Sequence, residues 1–189
     1  MPAEQQVKKI TVLAGKGGNG GSALAAARHL HNSGADISLV LSAPAQELTI
    51  ASARQLDILQ RIGLTADVTD SVTDSDIIID GLIGYSLQGD VRGRSLALIE
   101  SANSSDALMI SCDIPSGLDP DTGTVKGTAI ESDATVTVAL PYHGLFTAKA
   151  REYTGRIFVA DVSVPQSVWR QMHISVQDLF SLSSVVEVL

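Results

Sequence analysis

Three short polar clusters in this chain have residue types and spacing suited to chemistry. The first, Ala14-Gly15-Lys16-Gly17-Gly18-Asn19-Gly20-Gly21-Ser22, joins the apolar run Ile10–Leu13 to an alanine-rich run, Ala23–His31. Five glycines in seven residues leave little besides backbone N–H groups at a helix start. Such a surface suits phosphate, because glycine lets a ligand approach the main chain and the helix terminus adds partial positive charge. The second cluster is Asp80, which closes the run Ile77-Ile78-Ile79. The third, Asp113-Ile114-Pro115-Ser116-Gly117, follows Leu108-Met109-Ile110-Ser111-Cys112. A carboxylate ending an apolar run is costly unless partnered, so Asp80 and Asp113 either cap nearby backbone or belong to a site.

The spacing Gly15-x-Gly17-x-x-Gly20 matches the dinucleotide fingerprint in its strand-to-helix context. Two familiar uses of such a loop do not fit. A nucleotide hydrolase needs Gly-Lys-Ser/Thr at the end of the loop, where this chain has Gly20-Gly21-Ser22. A nicotinamide dehydrogenase wants an acid at the end of the second strand, about 20 residues on. That strand reads Ile37-Ser38-Leu39-Val40-Leu41 and ends on Ser42. A turn that merely lets a helix pack closely on its strand is the structural alternative.

The elements that must position these clusters alternate. Strands are expected at Lys9–Ala14, Ile37–Leu41, Ile77–Asp80, Leu108–Asp113, Thr135–Ala139 and Arg156–Val162. Helical periodicity covers Ser22–Asn32, with Leu24, Ala27 and Leu30 on one face, and Ala45–Ile62, with Ile50, Ala53, Leu56, Leu59 and Ile62. Gly34 and Gly63 stop these two helices, and Ser95–Ala102 supplies a third. The pattern predicts an α/β fold, a Rossmann-like three-layer αβα sandwich with a mostly parallel central sheet. The later strands, joined by turns, extend one edge. Ligands of such sheets bind beyond the carboxyl ends of the strands, where all three clusters fall.

At 189 residues and 44% hydrophobic, residues 1–189 are expected to form a single domain. The net charge of −8, with 21 acidic and 13 basic residues, argues against nucleic acid and anionic membrane as partners. The only cysteine, Cys112, rules out an intrachain disulfide and reads as a small core residue. No signal peptide is evident and no apolar run has transmembrane length, so a soluble, cytoplasmic protein is expected. Trp169, Met172, Leu179 and Phe180 supply either a helix packed on the sheet or a subunit contact in a homodimer.

From about Ile10 to Pro165 the chain resembles the YjeF N-terminal domain family, the NAD(P)HX epimerases. The family loop A-G-x-G-N-N-G-G-D-G corresponds to Ala14–Ala23. Its D-A-L-F-G-T-G-L-S-G motif corresponds to Asp80-Gly81-Leu82-Ile83-Gly84-Tyr85-Ser86-Leu87-Gln88-Gly89, followed by Val91-Arg92-Gly93. Its D-I-P-S-G-L-D-x-x-T-G motif is matched throughout by Asp113–Gly123. The resemblance implies an enzyme that interconverts the R and S forms of hydrated NADH or NADPH, working beside a separate dehydratase. It implies a potassium ion held by Asn19, Asp80 and Ser116, all with hard oxygen donors. It implies that Gly17, Gly18, Asn19, Gly20, Gly21 and Ser22, together with Gly84, Tyr85, Ser86, Leu87, Gln88 and Gly89, hold phosphate and ribose. Asp113 would face the hydrated ring as acid/base.

The departures also carry meaning. Ser22 stands in place of the loop aspartate, where it is expected to cap the following helix. Tyr85-Ser86 replaces a Thr-Gly pair. The family's P-K-P-G turn reads Pro141-Tyr142-His143-Gly144, so its lysine is absent and Tyr142 and His143 become the candidate catalytic partners, with Lys149 further along the loop. The joint loss of aspartate and lysine motivates an alternative: a nucleotide-binding or scaffold protein that has lost epimerisation. A generic nicotinamide oxidoreductase is disfavoured by the absent ribose acid.

Overall fold

The computed structural model describes residues 8–72, 74–176 and 179–188. Strand β1 (Lys9–Ala14) is buried along nearly its whole length, as a central parallel strand covered on both faces must be. Its neighbours are β2 (Asp36–Leu41) on one side and β4 (Ile77–Gly81) on the other. With β3 (Ala66–Asp67), β5 (Leu108–Cys112), β6 (Ala134–Val138), β7 (Arg156–Ala160) and β8 (Val185–Val188), the sheet order is β3-β2-β1-β4-β5-β6-β7-β8. All pairs are parallel except β7–β8. The strand order reverses between β1 and β4, which opens a crevice at their carboxyl ends.

Alternate strand residues build the two faces. Val12, Leu39 and Ile79 pack with Leu24 and Ala27 of α1 (Gly18–Asn32) and Leu56 and Leu59 of α2 (Ile50–Arg61). Their sequence neighbours Leu13, Val40 and Ile78 point the other way, onto Leu98, Ile99 and Ala102 of α3 (Gly93–Asn103). A third cluster, Ile114, Leu118, Leu145, Ala150 and Ile157, roots the excursion that follows β5. The three-layer αβα sandwich is therefore as expected. The later strands do extend one edge, and no helix among the described residues is long and apolar enough to cross a membrane.

Several boundaries differ from the expectation. The helix foreseen at Ala45–Ile62 divides into a 3₁₀ turn, Ala45–Glu47, and α2. Pro44 fixes an extended entry, Leu48 is extended again, and the Thr49 hydroxyl accepts the Ser52 N–H to start the true helix. The expected face is shortened in consequence: Ile50, the first residue of α2, is 76% exposed and Ile62, beyond its end, 42%. Strand β5 stops at Cys112, with Asp113 outside it, and β3 and β8 were not foreseen. Trp169 is buried on α5 (Gln166–Gln171), whereas Met172 is exposed. Gly34 and Gly63, at φ +93° and +94°, end α1 and α2 as expected, in the left-handed region where a side chain is penalised.

Candidate functional site

The glycine-rich segment does two jobs, and its residues divide between them. A Cβ on Gly15 would run into the Leu82 carbonyl, one on Gly20 into the Gly15 carbonyl, and one on Gly21 onto Ser52 Oγ. These three let α1 press against β1, β4 and α2. Gly17 and Gly18 have open space where a Cβ would stand. Helix α1 begins at Gly18, capped by Gly17, and the Gly21 N–H to Gly17 carbonyl bond (3.2 Å) closes its first turn. The N–H groups of Gly18, Asn19 and Gly20 thus lie in the turn that has no intrahelical acceptors.

The expected helix start at Ser22 is corrected by four residues, because packing against Gly15 and Ser52 overrides the poor helix propensity of glycine. Ser22 is not the cap. Its hydroxyl turns back to the Gly18 carbonyl (3.3 Å).

Asp80 lies in β4 with no exposure and no ion-pair partner among the described residues. Four donors compensate. Leu82 N–H (3.1 Å) and Ser116 Oγ–H (2.5 Å) reach Oδ1, while Ser111 Oγ–H (2.8 Å) and Ser116 N–H (2.8 Å) reach Oδ2. Burial nevertheless holds its pKa above the usual carboxylate range, against the opposing pull of these bonds. Asn19 Nδ2 donates to the Ile83 carbonyl (3.2 Å), toward which Ser116 Oγ is also directed (3.2 Å), and Ile83 N–H returns to Ser116 Oγ (2.8 Å). The three residues expected to share a cation thus converge around Ile83.

Asp113 follows β5 at φ +67°, a conformation that costs energy for a non-glycine residue and is held by its N–H bond to the Val136 carbonyl (2.7 Å). The kink takes the carboxylate off the strand. Thr137 Oγ1 donates to Oδ1 and Tyr142 Oη to Oδ2, each at 3.1 Å. The Tyr142 phenol is pushed up to about 12 by burial, then by the Asp113 charge and hydrogen bond, so it keeps its proton near neutral pH and acts as donor. Cys112 sits beside Asp113, its thiol also pushed up to about 12 by burial and by the Asp80 and Asp113 charges. A thiol held protonated in this way is a poor nucleophile.

Asn19, Ile83, Cys112 and Asp113 line one cavity of about 990 Å³, at the upper end of the range for small-molecule pockets, whereas Asp80, Ser116, Thr137 and Tyr142 stand behind them and do not line it. It runs along the carboxyl edge from Ser42, Glu47 and Thr49 at the β2 end, past Gly17, Gly18, Asn19 and Ser22, to Asp113, Val136 and Val138 at the β5–β6 end. Gly84, Tyr85 and Ser86 also line it, with Lys16, Arg92 and Arg94 supplying positive charge. Arg94 is shared with Asp70 (2.8 Å).

The rest of the expected set lies elsewhere. Gly20 and Gly21 are buried beneath the loop, and Leu87, Gln88 and Gly89 do not line the cavity, Gly89 being at a turn with φ +70°. His143, itself exposed, begins a 3₁₀ turn, His143–Phe146, outside the cavity, and Lys149 is exposed and does not line it either. Lys16, Glu47, Thr49, Arg92, Arg94 and Thr137 were not singled out from sequence. Most follow strand ends or border the recognised motifs, which was the available signal.

A family model described as YjeF-related protein N-terminus matches residues 2–144. Over 87% of its length the chain is 33% identical to the NAD(P)H-hydrate epimerase of Rhodopirellula baltica, covering 70% of that protein. It is 37% identical to the epimerase of Dehalogenimonas lykanthroporepellens, covering 64% of it. The bifunctional NAD(P)H-hydrate repair enzyme Nnr of Moorella thermoacetica is 33% identical, and only 33% of its length is spanned. The crystal structure of a yeast protein superposes with a TM-score of 0.78 at 18% identity, covering all of this chain and 82% of the other, which shows a shared fold. With a family model that matches its residues 2–144 and a relative 33% identical to it over 87% of its length, the chain belongs to the YjeF N-terminal family.

Proposed function

We propose that this chain is an NAD(P)H-hydrate epimerase, interconverting the R and S forms of hydrated NADH or NADPH. The observation that carries this reading is the layout of the cavity. A helix start lined by Gly17 and Gly18 lies midway along it, and Asp113 lies at one end, with Tyr142 behind it, hydrogen-bonded to its carboxylate but not itself part of the cavity lining. A dinucleotide with its pyrophosphate over the helix start has its hydrated ring near Asp113. Inversion requires the C–O bond at the hydroxyl-bearing ring carbon to break, with electrons supplied by the ring nitrogen, and to re-form on the opposite face. The departing hydroxide must gain a proton and the returning water must lose one. Tyr142 gives the first and the Asp113 carboxylate takes the second, and their mutual hydrogen bond returns the proton to Tyr142, so both groups end as they began.

The residues around Ile83 suit a monovalent cation such as potassium. Asp80 is a single, fully buried carboxylate without a countercharge among the described residues, and Ser116 Oγ and the Ile83 carbonyl are hard donors beside it. A half-turn of the Asn19 amide would exchange Nδ2 for Oδ1 and add a third. A cation bound there supplies fixed positive charge beneath the loop that receives the pyrophosphate.

Epimerisation alone leaves the hydrate unrepaired, so a dehydratase acts on the same substrate. The Moorella relative, named as a bifunctional repair enzyme, is about three times as long as the matched segment. The purified protein given one epimer of hydrated NADH with potassium should produce the other, resolved by chromatography. Saturable binding of ADP-ribose without interconversion would instead support the scaffold reading, which Ser22 favours because it brings no carboxylate to the loop.

A further inference from the structure

The end of the cavity remote from Asp113 has no role in the chemistry above. It is formed by the chain leaving β2, where Ser42, Ala43, Glu47 and Thr49 line the wall. This connection is tied to the loop under the pyrophosphate. Ser42 N–H bonds the Ala14 carbonyl (3.0 Å), Thr49 N–H the Lys16 carbonyl (2.9 Å), and Ser52 Oγ–H the Gly17 carbonyl (2.7 Å). Glu47, the last residue of the 3₁₀ turn, is therefore held at a set distance from the helix start. None of the four ion pairs among the described residues uses its carboxylate, which is exposed at the cavity wall.

A dinucleotide with its hydrated ring at Asp113 lays its other nucleoside along this wall. The ribose there carries either two free hydroxyls or a 2′-phosphate. A carboxylate accepts hydrogen bonds from the hydroxyls and repels the phosphate, whose charge is about −2. We propose that Glu47 selects the nucleotide with a free 2′-hydroxyl, making hydrated NADH the preferred substrate over hydrated NADPH. The acid absent from the end of β2 is supplied six residues later, by a turn that folds back on the loop. The inference rests on the proposed epimerase reading for the direction in which the dinucleotide lies.

The test is calorimetric titration of the full chain with ADP-ribose and with 2′-phospho-ADP-ribose. Two charges a few ångströms from a partly screened carboxylate imply a preference of about fivefold for ADP-ribose, shrinking as salt is raised. Glu47→Gln should bring the ratio close to one and Glu47→Arg should invert it. Because Glu47 is exposed, both variants should melt like the wild type. Equal binding of the two ligands by the wild type, tighter binding of the phosphorylated one, or an unchanged ratio in Glu47→Gln would overturn the selection while leaving the epimerase reading intact. Binding of neither ligand would overturn both.

Discussion

Two glycines two residues apart should fail in opposite ways when given side chains. Gly18 lines the cavity and has nothing within 4 Å of where its Cβ would stand, whereas a Cβ on Gly20 would overlap the Gly15 carbonyl, backbone against backbone. Gly18→Val should therefore leave the fold within about 0.5 kcal/mol, a melting shift of about 1–2 °C for a chain of this size. Its isopropyl group would stand between the ligand and the N–H groups of Gly18 and Asn19. Losing two hydrogen bonds to a charged pyrophosphate, at about 1.5–3 kcal/mol each, costs about 3–6 kcal/mol, or roughly 10²- to 10⁴-fold in Kd. Gly20→Ala has no flexible neighbour to displace, and overpacking of this kind costs about 3 kcal/mol, lowering the melting temperature by about 6–12 °C. Calorimetric titration with ADP-ribose and scanning calorimetry on both variants decide the matter. Wild-type affinity in Gly18→Val would refute the phosphate role of the helix start, and an unchanged melting temperature in Gly20→Ala would refute the packing account.

Asp113→Asn should retain ADP-ribose binding but lose two or more orders of magnitude in epimerisation rate, measured by chromatographic separation of the epimers. Tyr142→Phe should cost about a hundredfold. With the phenol pushed up to about 12, wild-type activity should show no alkaline decline from this group below about pH 10 in a pH–rate profile. Burial raises the pKa of Asp80 in the folded state, so as pH rises past about 4 the unfolded chain loses this proton first and the stability contributed by neutral Asp80 is progressively lost. A cation opposes that loss. Potassium at about 100 times its Kd should stabilise by about 2.7 kcal/mol, a rise of about 5–10 °C in melting temperature, with no effect in Asp80→Asn.

How far the sequence disclosed the molecule depended on the range of the interactions involved. Central strands such as Ile77–Gly81 are written as continuous apolar runs because both faces are covered, so their existence and parallel arrangement were legible. The two-residue β3 and the edge strand β8 exist through pairing with β2 and β7. Their own residues give little local signal. The start of α1 was misplaced for a related reason: local propensity disfavours Gly18–Gly21 in a helix, and only the contacts with Gly15 and Ser52 show why small residues are required there.

The candidate site follows the same division. Asn19, Asp80 and Ser116 could be assembled from sequence because each follows or closes a strand on one sheet edge, and the fold then brings them to Ile83 without further information. Thr137 could not, since its meeting with Asp113 depends on β6 lying beside β5 in the register Cys112↔Val136. Glu47 was missed because an acid was sought at the end of the strand. Pro44 and the 3₁₀ turn redirect the chain there, and the bond from Thr49 N–H to the Lys16 carbonyl draws it back to the cavity wall. A strand-end rule locates the edge on which a ligand binds. Which side chains reach that ligand is decided by the turns, and at Glu47 a single backbone hydrogen bond two residues away makes the difference.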